Sequence, residues 1–196
     1  MLVEVHAISE FHPFERLEEA NRLIFDLDPG PGVKWPTLIE AAREVRERLA
    51  AMKLESFVKT TGGKGLHVVL PIKHTPWEEA KGFARSLAES MERDNSLYVS
   101  TAKKSRREGR IFVDYLRNSR EATAVAPYST RARAGAPVAV PIGWSELSKL
   151  AAANQYTVLN ISQRLSRLRK DPWADMGKLK QPLPKKRMER GSKRGR

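Results

Sequence analysis

The spacing of apolar and polar positions changes several times along the chain, and each change marks an element. Arg22–Asp28 is a short run rich in Leu, Ile and Phe that stops at Pro29-Gly30-Pro31-Gly32. That is the pattern of a strand running into a turn. Pro36 opens a helix in which Leu38, Ala42, Val45, Leu49 and Met52 form one apolar stripe at spacings of 4, 3, 4 and 3. Ser56–Thr60 and Leu66–Leu70 read as strands joined by Thr61-Gly62-Gly63-Lys64-Gly65, a hairpin whose glycines can supply left-handed backbone. A second helix, from Pro76 to about Arg93, turns Ala80, Phe83, Ala84, Leu87 and Met91 inward. Leu97–Ser100 and Arg110–Leu116 are further strands flanking a basic loop. A strand at Val138–Pro141 and helices near Trp144–Ala153 and Asn160–Leu168 follow.

From residue 22 to residue 100 the order is β-α-β-β-α-β. This predicts an α/β (α+β) fold of the split βαβ kind shared by ferredoxin-like and RNA-recognition domains. In that topology the first and third strands are neighbours in mid-sheet, so unusual residues on them fall together.

Charge sharpens the picture. The 196 residues carry 36 Lys+Arg against 23 Asp+Glu, a net +13 that favours polyanionic partners. Residues 178–196 hold nine basic residues and one acidic one, a net +8, leaving +5 for residues 1–177. With almost no apolar content, 178–196 is expected to be a disordered basic tail behind a core of 1–177. Lys103, Lys104, Arg106, Arg107 and Arg110 form a second basic cluster in the loop before the fifth strand, placed for phosphates, with the first four expected to contact DNA. There is no cysteine, hence no disulfide framework and no catalytic thiol. No stretch reaches the length of a membrane span, so the chain reads as cytoplasmic and nucleoid-associated, without a membrane partner.

The candidate chemistry lies on the strands. Asp26 and Asp28, at i and i+2, share one strand face roughly 6–7 Å apart, given a rise of about 3.3 Å per residue. Two hard oxygen ligands so placed suit Mg²⁺ or Mn²⁺. Asp114, in Ile111-Phe112-Val113-Asp114-Tyr115-Leu116, repeats the pattern, and three strand-borne carboxylates match a two-metal phosphoryl-transfer site. His67, beside Thr61 and Lys64 on the glycine-rich turn, is a candidate phosphate contact. Ordinary readings stand beside these: a solvated Asp-x-Asp, Asp114 paired with Arg110 or Arg117, and a structural His67. The hairpin has neither Walker A spacing nor the stacking aromatics of an RNA-recognition motif.

Leu23–Asp28 with Pro29, Thr60-Thr61-Gly62-Gly63-Lys64-Gly65-Leu66-His67 and Phe112-Val113-Asp114-Tyr115-Leu116-Arg117-Asn118 resemble the polymerase domain of bacterial ligase D, in the archaeo-eukaryotic primase superfamily. Ala126-Pro127-Tyr128-Ser129 with Arg131 and Arg133, Trp144-Ser145-Glu146-Leu147 and Asp171-Pro172-Trp173-Ala174-Asp175-Met176 extend the resemblance in order along the chain. It implies an RRM-like catalytic core with a mixed sheet and flanking helices, adding nucleotides, often ribonucleotides, to a primer 3′-hydroxyl in non-homologous end joining. It further implies a metal triad of Asp26, Asp28 and Asp114 loaded with Mn²⁺ or Mg²⁺. Thr61, Lys64, Gly65, His67, Arg131 and His6 would contact the nucleotide. Implied partners are primer-template, gapped or broken DNA, nucleoside triphosphates, a separate ATP-dependent DNA ligase and an end-binding protein. Thr61 stands where the family commonly has Ser. The family's domain has a substantial portion ahead of its first motif, so the chain is expected to be that domain without its N-terminal portion. One rival is a truncated, non-catalytic relative that grips DNA ends. A second is a haloacid-dehalogenase-type phosphotransferase, although that class continues Asp-x-Asp with Gly-Thr rather than Pro29-Gly30.

Overall fold

A computed structural model describes residues 18–184 of the chain. Six strands form one mixed sheet: β1 (Glu19–Pro29), β2 (Phe57–Thr60), β3 (Leu66–Pro76), β4 (Tyr98–Val99), β5 (Ile111–Asp114) and β6 (Pro141–Ile142), in the order β4-β5-β1-β3-β2-β6. Three helices accompany it: α1 (Trp35–Ala51), α2 (Trp77–Asp94) and α3 (Ile161–Arg167). The expected α+β class holds, with β1 and β3 adjacent in mid-sheet. In a bare split βαβ sheet the fourth strand would lie beside the first. Here β5 occupies that place, antiparallel to β1, and β4 pairs with β5 in parallel.

Alternation along β1 explains the two faces. Leu23, Phe25 and Leu27 are fully buried beneath α1 and α2, with Leu66, Val68 and Leu70 of β3 and Ile111 and Val113 of β5. The intervening residues, Ile24, Asp26 and Asp28, point to the opposite face. α1 starts at Trp35 with Pro36 in its first turn, where a missing N–H is harmless, and buries Leu38, Ala42, Val45 and Leu49 as the periodicity requires. Met52, expected on the same stripe, lies just past the helix and is 36% exposed. α2 buries Ala80, Ala84, Leu87, Ala88 and Met91, and Phe83 packs partly buried against the same core. Among the described residues no helix is long and apolar enough to cross a membrane.

Two expectations differ from the structure. The helix near Trp144–Ala153 is only one 3₁₀ turn, Leu147–Lys149, because this stretch is drawn into polar links with the sheet edge. Trp144 Nε1 donates to Ser56 O at 2.8 Å, and Glu146 accepts from Arg164 and Tyr156. Residues 178–184, placed by composition in the tail, are held against the sheet. Gln181 donates to Glu55 O and Pro71 O, its carbonyl accepts from Lys73 N, and Leu183 joins the core. Residues 185–196 lie outside the described residues.

Asn118 closes a gap in the ladder. β5 pairs with β1 only from Asp26 to Pro29, so Ile24 has no strand neighbour on that side. The Asn118 amide substitutes for one: its Oδ1 accepts from Ile24 N at 2.7 Å, and its Nδ2 donates to Ile24 O at 2.8 Å and Tyr115 O at 2.9 Å. Asn118→Ala would strand two buried backbone groups, each worth about 1–3 kcal/mol. We expect a loss of about 2–4 kcal/mol in urea unfolding at unchanged slope. A change within error of zero would remove Asn118 from this role.

Candidate active site

The face opposite the helices carries a row of polar side chains set by strand register. Lys59 of β2 pairs with His67 of β3, His67 with Asp26 of β1, and Asp26 with Asp114 of β5. Direct cross-strand partners share a face, so the four stand side by side. They are 2%, 2%, 7% and 6% exposed. Asp28, two residues beyond Asp26, projects from the same face into a cleft of about 640 Å³. Asp26, Asp28, His67, Thr61, Lys64, Gly65 and Arg131 all line this cleft.

The hairpin between β2 and β3 forms one wall. Thr61 Oγ1 donates to Gly65 O at 2.9 Å and accepts from Gly63 N at 3.2 Å, so its hydroxyl closes the turn on which Lys64 is displayed. Gly62 adopts φ +65°, a left-handed conformation that favours glycine. Gly65 is required for a different reason. A Cβ there would come within 2.7 Å of Leu27 O, and within 3.4 and 3.5 Å of Asp28 Oδ1 and Asp26 Oδ1. The turn therefore lies directly against the two carboxylates.

The basic loop forms the opposite wall. Gly30 N donates to Arg110 O and Gly109 N to Pro31 O, both at 2.8 Å, tying the loop to the turn after β1. Of its expected DNA contacts, Lys104 and Arg107 line the cleft, with Arg107 stacked 4.0 Å over the Phe112 ring. Arg106 instead pairs with Glu92 at 3.0 Å, and Lys103 is exposed outside the cleft. His6 lies outside the described residues.

The sequence reading passed over three cations. Arg133 lines the cleft beside Arg131. Arg117, weighed only as a partner for Asp114, lies 3.3 Å from Asp114 and 3.5 Å from Asp26, so the ordinary ion-pair reading of Asp114 is realised and extended to a second carboxylate. Arg110 is not that partner. Lys59 was missed altogether. Its signal was a lysine at the alternating position of the otherwise apolar Phe57-Val58-Lys59-Thr60.

Burial sets the titration behaviour, and neighbours redistribute it. Burial pushes Asp26 upward, but His67, Arg117 and Lys59 outweigh it and hold the carboxyl below its usual range. Burial and then the Asp26 and Asp114 charges push Asp28 up to about 6. Burial also raises Asp114, against the Leu116 N–H that donates to it at 2.7 Å. Burial lowers His67, and Lys59 lowers it further, so the imidazole is neutral near pH 7. Lys59 itself falls to about 7, chiefly through burial.

The family described as "LigD, primase-polymerase domain" matches residues 1–173. The chain belongs to this family. It is 41% identical over 181 residues to the multifunctional non-homologous end joining protein LigD of Pseudomonas aeruginosa, covering 89% of this chain and 22% of that protein. It is 40% identical over 157 residues to the multifunctional non-homologous end joining DNA repair protein LigD of Mycobacterium tuberculosis, covering 78% and 20%. The chain thus spans about a fifth of the length of these curated relatives. Its fold superposes on the polymerase domain from Mycobacterium tuberculosis ligase D in complex with DNA, with a TM-score of 0.76 and 37% identity, covering 89% of this chain and 60% of that one. The motifs of this LigD primase-polymerase chain that looked like a metal and phosphate site therefore meet on one sheet face.

Asp28 gives a pH test. It releases its proton near pH 6 in the folded chain and near its ordinary 3.8 when unfolded. The folded state then binds more protons between these values, so Asp28 makes stability fall as pH rises from about 4 to about 6, and the loss persists above. Asp28→Asn removes that charge. In metal-free buffer its melting temperature should exceed the parent's at pH 7.5, and the advantage should vanish near pH 4. Equal melting temperatures at pH 7.5 would contradict the repulsion.

Proposed function

We propose that this chain is a repair polymerase of the primase type, adding ribo- or deoxynucleotides to a DNA primer 3′-hydroxyl during non-homologous end joining. The observation that carries this reading is the convergence of Asp26 and Asp28 in a cleft walled by Lys64, Lys104, Arg107, Arg117, Arg131 and Arg133, with Asp114, which does not itself line the cleft, paired to Asp26 on the adjacent strand. Carboxylates at the floor and cations at the rim suit a substrate that brings both a metal-bound triphosphate and a polyanionic strand. Metal dependence accompanies family membership, and we assign the metal as Mn²⁺ or Mg²⁺ from the all-oxygen donor set.

The donors fit such an ion chemically. Asp28, raised to about 6 by burial and then by its negative neighbours, is a carboxylate that a divalent cation would relieve. Among the described residues no three acidic or imidazole side chains already cage one point. Any ion held here would therefore need substrate oxygens to complete its shell. When bound, the metals would acidify the 3′-hydroxyl and stabilise charge on the transferring phosphate.

The protein's own groups have separable tasks. Asp26, Asp28 and Asp114 would hold the metals. Lys64, His67, Arg131 and Arg133 would orient the triphosphate, so that the 3′-oxygen attacks the α-phosphate as the α–β bond breaks and pyrophosphate leaves. Lys104 and Arg107 would meet the DNA backbone at the mouth, and residues 185–196, with seven basic residues and one acidic one, would add nonspecific attraction. A separate ATP-dependent ligase and an end-binding protein are the partners such a reaction needs at a broken end.

Purified chain should extend a primed or gapped duplex when given Mn²⁺ or Mg²⁺. Asp114→Ala should abolish extension while duplex affinity, read by fluorescence anisotropy, changes less than about threefold. Extension at the parental rate would remove Asp114 from the site, and a parent that binds DNA but never extends it would favour an end-binding relative.

Deleting residues 185–196 removes a net +6. The slope of log K against log salt for DNA binding should become shallower, with extension at saturating DNA preserved. An unchanged slope would show that this segment makes no phosphate contacts.

A further inference from the structure

Nothing in the reaction above uses Lys59, although register makes it the direct neighbour of His67. His67 reaches the cleft, whereas Lys59 does not line it. The Lys59 side chain is therefore covered beside the cleft, one strand beyond the imidazole on the same face. Its Nζ is buried with no hydrogen-bond partner. Burying a lysine without an acceptor is costly, and Met would fill similar space without the charge. The buried amino group therefore needs a reason.

His67 has the complementary deficiency. Its Nε2 faces Asp26 Oδ1 at 3.4 Å. In a neutral ring the proton belongs on the nitrogen turned to the carboxylate, which leaves Nδ1 as a lone-pair acceptor. Nδ1 is also buried without a partner. A donor lacking an acceptor and an acceptor lacking a donor thus occur on adjacent side chains of one row.

We propose that Lys59 is a positioning residue: its amino group donates to His67 Nδ1 through one bridging water and fixes the imidazole with Nε2–H toward Asp26 and the cleft. The resulting chain runs Lys59 to His67 to Asp26, from a buried amino group to a carboxylate of the site. The hydrogen-bond chain rests on the sheet geometry alone, and only its effect on nucleotide addition rests on the polymerase reading.

Long-range ¹H–¹⁵N spectra of the ¹⁵N-labelled full chain, without metal, read the tautomer and the Nδ1 hydrogen bond. The parent should show neutral His67 protonated at Nε2, with its Nδ1 resonance displaced from that of a free acceptor nitrogen. Lys59→Met should abolish the displacement. Lys59→Gln, which keeps a neutral donor, should retain part of it, and amide spectra of both variants report the fold. In primer extension, Lys59→Met should lower kcat about 10–100-fold, with a smaller rise in nucleotide KM, and Lys59→Gln should recover part of the rate. Identical imidazole signals in the parent and Lys59→Met would overturn the proposal, as would Gln behaving like Met. If Met shifts the imidazole signals while the parent adds no nucleotide with either metal, the hydrogen-bond chain stands and the polymerase reading fails.

Discussion

The site depends on strand register more than on any single contact. Lys59, His67, Asp26 and Asp114 belong to four different strands and meet only because β2, β3, β1 and β5 pair as they do. The same pairing sends Leu23, Phe25 and Leu27 into the helix-covered core. A slip of one residue in β1 would move Asp26 among those side chains and put Leu27 in the cleft. Forming the core and assembling the site are therefore one act, and the insertion of β5 beside β1 is the step that brings Asp114 opposite Asp26.

The two faces of the sheet are stabilised differently. On the helix side a continuous apolar cluster involves both long helices and all six strands. On the site side the buried apolar cluster among the described residues is Ile24, Val69 and Ala124, with Trp173 and Met176 packed against it. Polar links hold the remaining irregular chain in place. Three indole N–H groups pin it to the fold: Trp35 to Leu150 O, Trp144 to Ser56 O and Trp173 to Val58 O. Half-buried Arg164 ties α3 to Glu146 and to Pro141 O of β6. The Trp-Ser-Glu-Leu and Asp-Pro-Trp motifs mark these anchors, which are structural.

Periodicity carried the sequence reading furthest where elements are long and amphipathic, as in α1 and α2, and where aspartates interrupt an apolar strand. It gave less in the stretch after β5, where structure comes from side-chain links to distant backbone and no local period exists. Helix propensity near Trp144 lost to such links. Composition misplaced 178–184 because one Gln and one Leu, rather than an apolar run, hold that stretch against the sheet. Within the candidate site, the placing of the carboxylates, His67 and the turn on or beside one sheet face was legible from spacing. Lys59 was not, because a lysine in a strand normally signals an exposed edge, and only the pairing of β2 between β3 and β6 shows that it is covered.

The balance of charge within the row explains why the carboxylates behave differently. Lys59 and His67 lie on one side of Asp26 and Arg117 on the other, so this buried carboxylate is the best compensated of the three and is held below its usual range. Arg117 reaches Asp114 as well, and a backbone N–H supports that carboxylate. Asp28 stands one step outside the row, with no ion pair to Arg117 and two negative neighbours, and it is the one driven up to about 6. Strand alternation forces this arrangement, since residue i+2 must share the face of Asp26 without sharing its cross-strand partners. The least compensated negative charge is consequently placed at the open side of the cleft, where a cation from solution can reach it without disturbing the buried pairs.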